Sequence, residues 1–377
     1  MSAVYFFLFG ALGALVPFLA LFYRAAGLSA REISILLSVI PVMLVISQPI
    51  FGPLTDRSGH RGRMLAWLFL AASLSGGLIA LGTGFWSLLP LVMLWAFFAG
   101  PLVPIADSIA LGEVQRTGVG FPQLRLWGSV GFVLVTTLFG RLYNSIDLRW
   151  MFGLYALMCL LAFGLARRLP ADGLSNRREL LPVLKELLRS PILVAFLLLS
   201  AILQTTQAAH AAFFSIHMDS LGGSSFLVGL AWGFAAVVEV PVWLVLSRVT
   251  QRTGPLPLLA FATAIYALRW FLYAVAPTPW TLLALQGLHG LSFGIFMPTA
   301  VVLVGELTPA ELRTSGQALL VLVNGGIATV IGNLTAGHIV DLSGTAALYR
   351  VAAYVAATAC IGFILLVRRS RRGVPAN

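Results

Sequence analysis

Asp107, Arg125, Glu239 and Arg269 each lie inside an apolar run long enough to cross a bilayer. An ionisable group in the hydrocarbon region costs at least about 2.5 kcal/mol on insertion scales, so it marks either a function or a buried pair. His210 and His289 sit in runs of the same kind. The chemistry open to such a set is ion pairing, hydrogen bonding to a polar solute, and the gain and loss of a proton. None of it requires a covalent step. The sequence offers no nucleophile and base pair, no metal-ligand spacing and no Walker-type phosphate loop, which argues against an enzyme, a resident metal or cofactor, and ATP as the driving force. The proton gradient is the expected energy source.

The elements that must position these side chains follow from hydropathy. Of 377 residues, 59% are hydrophobic and 10% charged, against roughly 25% charged in soluble domains, which excludes a water-soluble globule. Windows of about 19 residues place twelve spans near 3–23, 33–54, 64–83, 86–111, 121–143, 147–167, 191–214, 226–246, 256–275, 280–304, 312–337 and 346–367. Each is too long for a barrel strand of about 10 alternating residues. The expected fold is an all-α membrane protein with twelve transmembrane helices.

The longest polar stretch, Arg167 to Arg189, divides these spans six and six. The predicted organisation is an N-terminal six-helix half over 1–168, a cytoplasmic linker over 169–190, a C-terminal six-helix half over 191–367 and a basic tail over 368–377. The even-numbered loops and the C-terminal tail carry 17 basic residues and the opposite face five, so the positive-inside rule puts both termini in the cytoplasm. The net charge of +11 therefore reads as attraction to the inner leaflet, with no nucleic-acid partner. Cys159 and Cys360 lie in apolar runs, which rules out a disulfide framework. The first run, Val4 to Tyr23, lacks a basic n-region and a small-residue cleavage site, and reads as a retained span. A multi-pass monomer in the inner (plasma) membrane is expected.

The halves read as repeats. Gly100, Pro104 and Ala106 in the fourth span match Gly294, Pro298 and Ala300 in the tenth, and Leu124-Arg125-x-x-Gly128 matches Leu312-Arg313-x-x-Gly316. Two six-span halves enclosing a midplane site are what alternating access needs.

Between spans 2 and 3 the chain reads Gly52-Pro53-Leu54-Thr55-Asp56-Arg57-Ser58-Gly59-His60-Arg61-Gly62-Arg63. Its glycines permit a tight turn and its arginines favour the inner leaflet, but Asp56 is an acid that topology alone does not require. The stretch resembles the signature loop of the major facilitator superfamily. The resemblance implies that Gly52, Asp56, Arg57, Gly59 and Arg61 form part of a cytoplasmic gate, with Asp56 as its latch. The corresponding stretch Leu246 to Gly254 keeps basic residues and glycine but has no aspartate.

Spans 4 and 5 run antiparallel, which puts Asp107 and Arg125 at similar depth. A static salt bridge pinning two helices and a solute-binding pair both remain open. The stretch Gln123-Leu124-Arg125-Leu126-Trp127-Gly128-Ser129-Val130-Gly131-Phe132 resembles the fifth helix of the lactose permease branch and the phenylpropionate permease family. That likeness implies substrate contacts at Asp107, Arg125 and Phe132, with Ser129 on the same face. Phenylalanine stands where the lactose permease branch has tryptophan.

In the second half, Glu239 in span 8, Arg269-Trp270 in span 9 and Leu288-His289 in span 10 also resemble the phenylpropionate permease family. The lactose permease has a further glutamate on the tenth helix that this chain lacks, so the proton carrier is reassigned to Glu239, with Arg269 and His289 as its coupling partners. Burial disfavours an ionised acid and a nearby guanidinium favours it. A Glu239 whose distance from Arg269 changes between states would bind and release a proton. A permanent Glu239 to Arg269 bridge, with His289 a satisfied core residue, is the alternative. Gln204, Gln207 and His210 fall on nearly one face of span 7 and read either as solute contacts or as polar glue between helices.

The resulting expectation is proton-coupled uptake of a small organic solute, such as an aromatic acid, sugar or nucleoside. A proton-coupled efflux antiporter or a uniporter would share the fold. A transport-dead membrane sensor would have no need of four charges within the bilayer.

Overall fold

Proline and glycine decide where the long apolar runs break. The structure is a computed structural model describing residues 1–169, 187–309 and 312–372; the side chains of Asp56, Arg57, Ser58, Thr314, Arg371 and Arg372 lie outside that description. The run expected as one span over 3–23 forms two helices, α1 (Ser2–Leu15) and α2 (Leu19–Ala25), because Pro17 has no N–H to continue the ladder. Next come α3 (Ala30–Ser58) and α4 (Arg61–Leu78). The expected span over 86–111 splits into α5 (Phe85–Ala99) and α6 (Leu102–Thr117) around Gly100-Pro101. Helices α7 (Phe121–Leu142) and α8 (Trp150–Ala166) complete the first half.

The second half holds α9 (Pro191–Ser220), α10 (Ser225–Thr253) and α11 (Pro255–Ala274). Its expected span over 280–304 is divided at Gln286-Gly287 into α12 (Pro279–Leu285) and α13 (Leu288–Leu307). After α14 (Arg313–Val321) the chain opens into a π-turn over Leu322–Ala328 and enters α15 (Thr329–Arg372), which bends at Gly344, φ 77°. Asn324 in that turn exchanges hydrogen bonds with Ser200, at 3.0 and 2.8 Å. No strand occurs among the described residues.

Local signals account for several ends. Ser29 and Glu32 form a reciprocal capping box at the start of α3. Gly59 (φ 63°, ψ 2°) closes α3 in the left-handed helical region, whereas Gly254 (φ 78°, ψ 162°) follows α10 with an extended ψ, so the two turns share a positive φ but not a conformation. The sequence repeat departs elsewhere too. Gly100 ends a helix, whereas Gly294 lies inside the continuous α13.

Nine stretches among the described residues are long and apolar enough to cross a membrane. One of them, Ser315–Ser370, is bent at Gly344, and the shorter Trp150–Ala166 is not among them.

The described residues fall into two compact units: those within Met1–Asn176 together with Met218–Gly233, and those within Arg177–His217 together with Phe234–Asn377. In the first unit α1 packs on α7 and α8, and α4 on α8. Small residues permit this: a methyl group on Gly13 would lie 2.8 Å from the Phe132 carbonyl oxygen. Segment 218–233 joins this unit because Gly229 lies against the Thr136 backbone and the Phe226 N–H donates to Asn144 Oδ1 at 3.2 Å. In the second unit α11 packs on α13 and α15.

Candidate functional site

Two polar clusters stand out, one in each unit. In the first unit, Arg125 Nε on α7 lies 3.8 Å from Asp107 Oδ1 on α6, close enough for charge attraction and beyond hydrogen-bond reach. Asp107 Oδ1 instead accepts from the Tyr5 hydroxyl of α1 at 2.6 Å. The Arg125 guanidinium carbon sits 4.0 Å from the Phe9 ring centroid and 5.4 Å from that of Tyr5, a cation–π arrangement. Gly128 lets Phe9 approach, since a methyl there would be 2.7 Å from the Phe9 ring. The two charged side chains are 35% and 33% exposed. A helix-pinning bridge would be closed and direct; this pair is open, and its groups keep capacity for a third partner.

Ser129 and Phe132 are half-buried, and among the described residues neither hydrogen-bonds or stacks with Asp107 or Arg125. The aromatic faces beside the guanidinium come from Tyr5 and Phe9, not from Phe132. The reason is geometric: Phe132 presents its backbone to Gly13 of α1, while Phe9 crosses α7 one turn from Arg125.

The second cluster is built on Arg269 of α11, which is fully buried. Its Nη2 donates to Gln286 Oε1 at 2.5 Å, to the Tyr273 hydroxyl at 3.2 Å and to His210 Nε2 at 3.4 Å. Its Nη1 donates to His289 Nδ1 at 3.0 Å and Ser292 Oγ at 3.4 Å, and its Nε to Tyr273 at 3.3 Å. A guanidinium can only donate, so both imidazole nitrogens that face it must be unprotonated acceptors. His289 then carries its hydrogen on Nε2 and donates it to Glu239 Oε1 at 2.8 Å. His210 likewise donates from Nδ1 to the Tyr349 hydroxyl at 3.1 Å. Both histidines are neutral in this arrangement.

Glu239 thus reaches Arg269 through His289. The direct bridge considered from sequence is replaced by a relay, because Gly290 and Gly294 of α13 bring that helix against α10. A methyl on Gly290 would sit 2.5 Å from the Val238 carbonyl oxygen, and one on Gly294 would sit 3.4 Å from Glu239 Cγ. Phe293 stacks on the imidazole at 5.0 Å and 15°. Glu239 is 12% exposed and His289 8%, so the acid lies at the edge of the cluster and the cation at its centre. A buried guanidinium is costly unless its charge is met. Here the compensation arrives across one imidazole.

His210 belongs to this cluster rather than to a solute-facing stripe on α9. Gln204 Nε2 lies 3.2 Å from Met297 Sδ, and Gln207 is half-buried with its Oε1 unpartnered. The three residues expected on one face therefore separate in role. At the loop, Gly52 lies in α3, Gly59 closes it and Arg61 opens α4; the side chains of Asp56 and Arg57 lie outside the described residues. No group of three or more metal-ligating side chains occurs among the described residues.

Tyr5, Phe9, Tyr273, Gln286, Ser292 and Tyr349 were absent from the sequence-derived sites. Tyr273 follows Arg269 by one helical turn, a spacing that was readable. Tyr5 and Phe9 carried no such signal, because their partners lie on distant helices.

The comparisons agree with this architecture. The chain is 32% identical to the maltose permease of Geobacillus stearothermophilus over 375 residues, covering 97% of this chain and 94% of that protein. It is 26% identical to the probable 3-phenylpropionic acid transporter of Escherichia coli over 341 residues, 86% of each. In structure it superposes on a point mutant of the nucleoside transporter NupG with a TM-score of 0.88 at 16% identity, covering 97% of this chain and 98% of that one. These relatives are transporters, not enzymes. The family described as MFS_1 like matches residues 1–351, and the chain belongs to it, a multi-pass membrane transporter of small organic solutes in the major facilitator superfamily.

Proposed function

We propose that this protein imports a neutral, polyhydroxylated solute of the sugar class together with a proton, by alternating access. The observation that carries the reading is the open Asp107–Arg125 pair under Tyr5 and Phe9, with 3.8 Å between its charges. A carboxylate and a guanidinium that do not saturate one another offer acceptors and donors to vicinal hydroxyls, and an aromatic face suits a sugar ring. An aromatic carboxylate would need an unopposed guanidinium. Arg125 faces Asp107, and Arg269 is enclosed by acceptors. The similarity to a maltose permease supports the same class.

Coupling is assigned to Glu239, with His289 and Arg269 as its partners. Protonation of Glu239 would remove the charge that balances Arg269 through His289 while keeping a hydrogen-bond acceptor for the His289 Nε2–H. The cluster would then hold a bare buried cation, which favours a rearrangement. Loss of the proton restores the balance. No cofactor beyond the proton gradient enters this scheme.

Twelve spans fit these helices when Ser315–Ser370 is counted twice at its Gly344 bend and α7 and α8 are added to the other eight apolar stretches. The excess of basic residues in the even-numbered loops and the C-terminal tail supports cytoplasmic termini in the inner membrane, and the protein is taken to act as a monomer. The loop around Gly52, Asp56, Arg57, Gly59 and Arg61 is assigned to the cytoplasmic gate on its resemblance to the superfamily signature.

The deciding experiment is sugar-dependent alkalinisation of the medium in de-energised cells expressing the protein. Maltose or glucose should raise the external pH on entry. Solute movement without alkalinisation would overturn symport in favour of a uniporter, and acidification in favour of an antiporter.

A further inference from the structure

Pro298 cannot donate a backbone hydrogen bond to Gly294, one turn back in α13. That carbonyl is satisfied from the neighbouring helix: Trp243 Nε1 of α10 donates to Gly294 O at 3.0 Å. The indole is thereby fixed at the edge of a cavity of about 370 Å³ lined by Trp243, Ser247, Thr250, Gln251, Thr299 and Glu306, among others. The volume falls near the small end of the range for small-molecule sites, about 300–1,000 Å³.

The lining is mostly apolar, with Leu246, Pro298 and Val302 beside the indole, and carries a few polar groups. Thr299 is completely buried, and its Oγ1 has no hydrogen-bond partner. A threonine within a helix can return its hydroxyl to the preceding turn; that of Thr299 does not, so a solute group that reached it would satisfy it. Ser247 and Gln251 are exposed along one side of the same cavity, and Glu306 is exposed at its end. Thr250 already donates to Leu246 O at 2.8 Å and retains only acceptor capacity.

We infer that this cleft between α10 and α13 is a second solute site, taking a neutral polyhydroxylated ring of about hexose size. Among its polar groups hydroxyls and an amide outnumber the single carboxylate, and the indole with Leu246, Pro298 and Val302 supplies apolar faces. That set suits a ring with alternating C–H and O–H groups better than it suits an organic cation. The cleft lies within the second unit, in the last three turns of each helix. On the proposed orientation that is the cytoplasmic end, where an imported solute would pause before release. The inference rests on the sugar-class reading above.

The test uses Ser247→Cys as a reporter in the full-length chain carrying Cys159→Ala and Cys360→Ser, purified in detergent and alkylated with N-ethylmaleimide. At about ten times its Kd, glucose should slow alkylation about tenfold by mass action. Maltose should protect as well, choline should not, and protection should persist with Asp107→Asn added. Thr299→Val with Glu306→Gln should abolish protection while the rate without sugar stays the same. If that double variant does not elute as a single species, Thr299→Val alone replaces it, with the same expected loss. Absence of protection by both sugars, protection by choline alone, or protection that vanishes with Asp107→Asn would each overturn the cleft. Protection by glucose in a protein that takes up no sugar would leave the cleft standing and sink the transport reading instead.

Discussion

Glu239 and Arg269 are joined by one imidazole: His289 donates to the carboxylate at 2.8 Å and accepts from the guanidinium at 3.0 Å. Because the guanidinium has only donors, the His289 tautomer is set by its neighbours. The nitrogen that would have to protonate is the one already occupied by Arg269.

On the proposed coupling scheme, Glu239 and not the histidine takes the proton. Glu239→Gln keeps the size and the acceptor but cannot titrate. Proton-driven accumulation in energised cells should disappear, while solute counterflow in proteoliposomes continues and no longer depends on pH. Uphill uptake at the wild-type level would refute the assignment.

On that scheme His289 serves as hydrogen-bond donor to Glu239 and acceptor from Arg269. His289→Gln can accept from Arg269 and donate to Glu239, whereas His289→Leu can do neither. The glutamine variant should retain sugar-driven alkalinisation at a reduced rate and the leucine variant none. Equal loss in both would show that an imidazole is required for its own protonation.

In the first unit, Arg125→Lys removes the planar, multi-donor head while keeping the charge. Asp107→Asn removes the charge from the Tyr5 acceptor. Hydrogen bonds to charged groups contribute about 1.5–3 kcal/mol, so each variant should raise KM for uptake about 10- to 100-fold. Tyr5→Phe should have a smaller effect in the same direction, since Tyr5 acts through Asp107. Initial-rate uptake over a range of sugar concentrations decides this.

Trp243 and Pro298 should be energetically coupled. Trp243→Phe leaves the Gly294 carbonyl without its donor, which lowers stability by about 1 kcal/mol. Pro298→Ala returns a backbone N–H to that carbonyl, so the loss should shrink in the double variant. Thermal unfolding of the four proteins measures the coupling. Additive shifts in Tm would mean that the indole bond does not serve the proline.

Close backbone approach sets a further expectation. A methyl on Gly131 would collide with the Phe6 backbone of α1. Gly131→Ala should therefore push α1 from α7, move Phe9 away from Arg125 and raise KM together with a fall in Tm. Unchanged KM and Tm in that variant would refute this account of how α1 is held.

Much was legible in the order of residues alone. The apolar runs, the polar stretch between the halves and the signature loop pointed to the superfamily that the comparisons then showed, because hydropathy is a local property and bilayer thickness sets its length. The rarity of intramembrane charge singled out Asp107, Arg125, Glu239 and Arg269 by the same logic. Helix breaks were less legible: Pro17 and Gly100-Pro101 divide runs that hydropathy treats as continuous, since a window average does not register one missing N–H.

What the tertiary structure decided was who meets whom. Tyr5 and Phe9 reach Arg125, and Gln286 and His210 reach Arg269, across residue separations that carry no periodic signal. His289 stands between an acid and a cation only because Gly290 and Gly294 let α13 lie close to α10. The charges announce themselves in the sequence by their cost in an apolar run. Their partners, and therefore their chemistry, are settled by the small residues that fix how closely the helices pack.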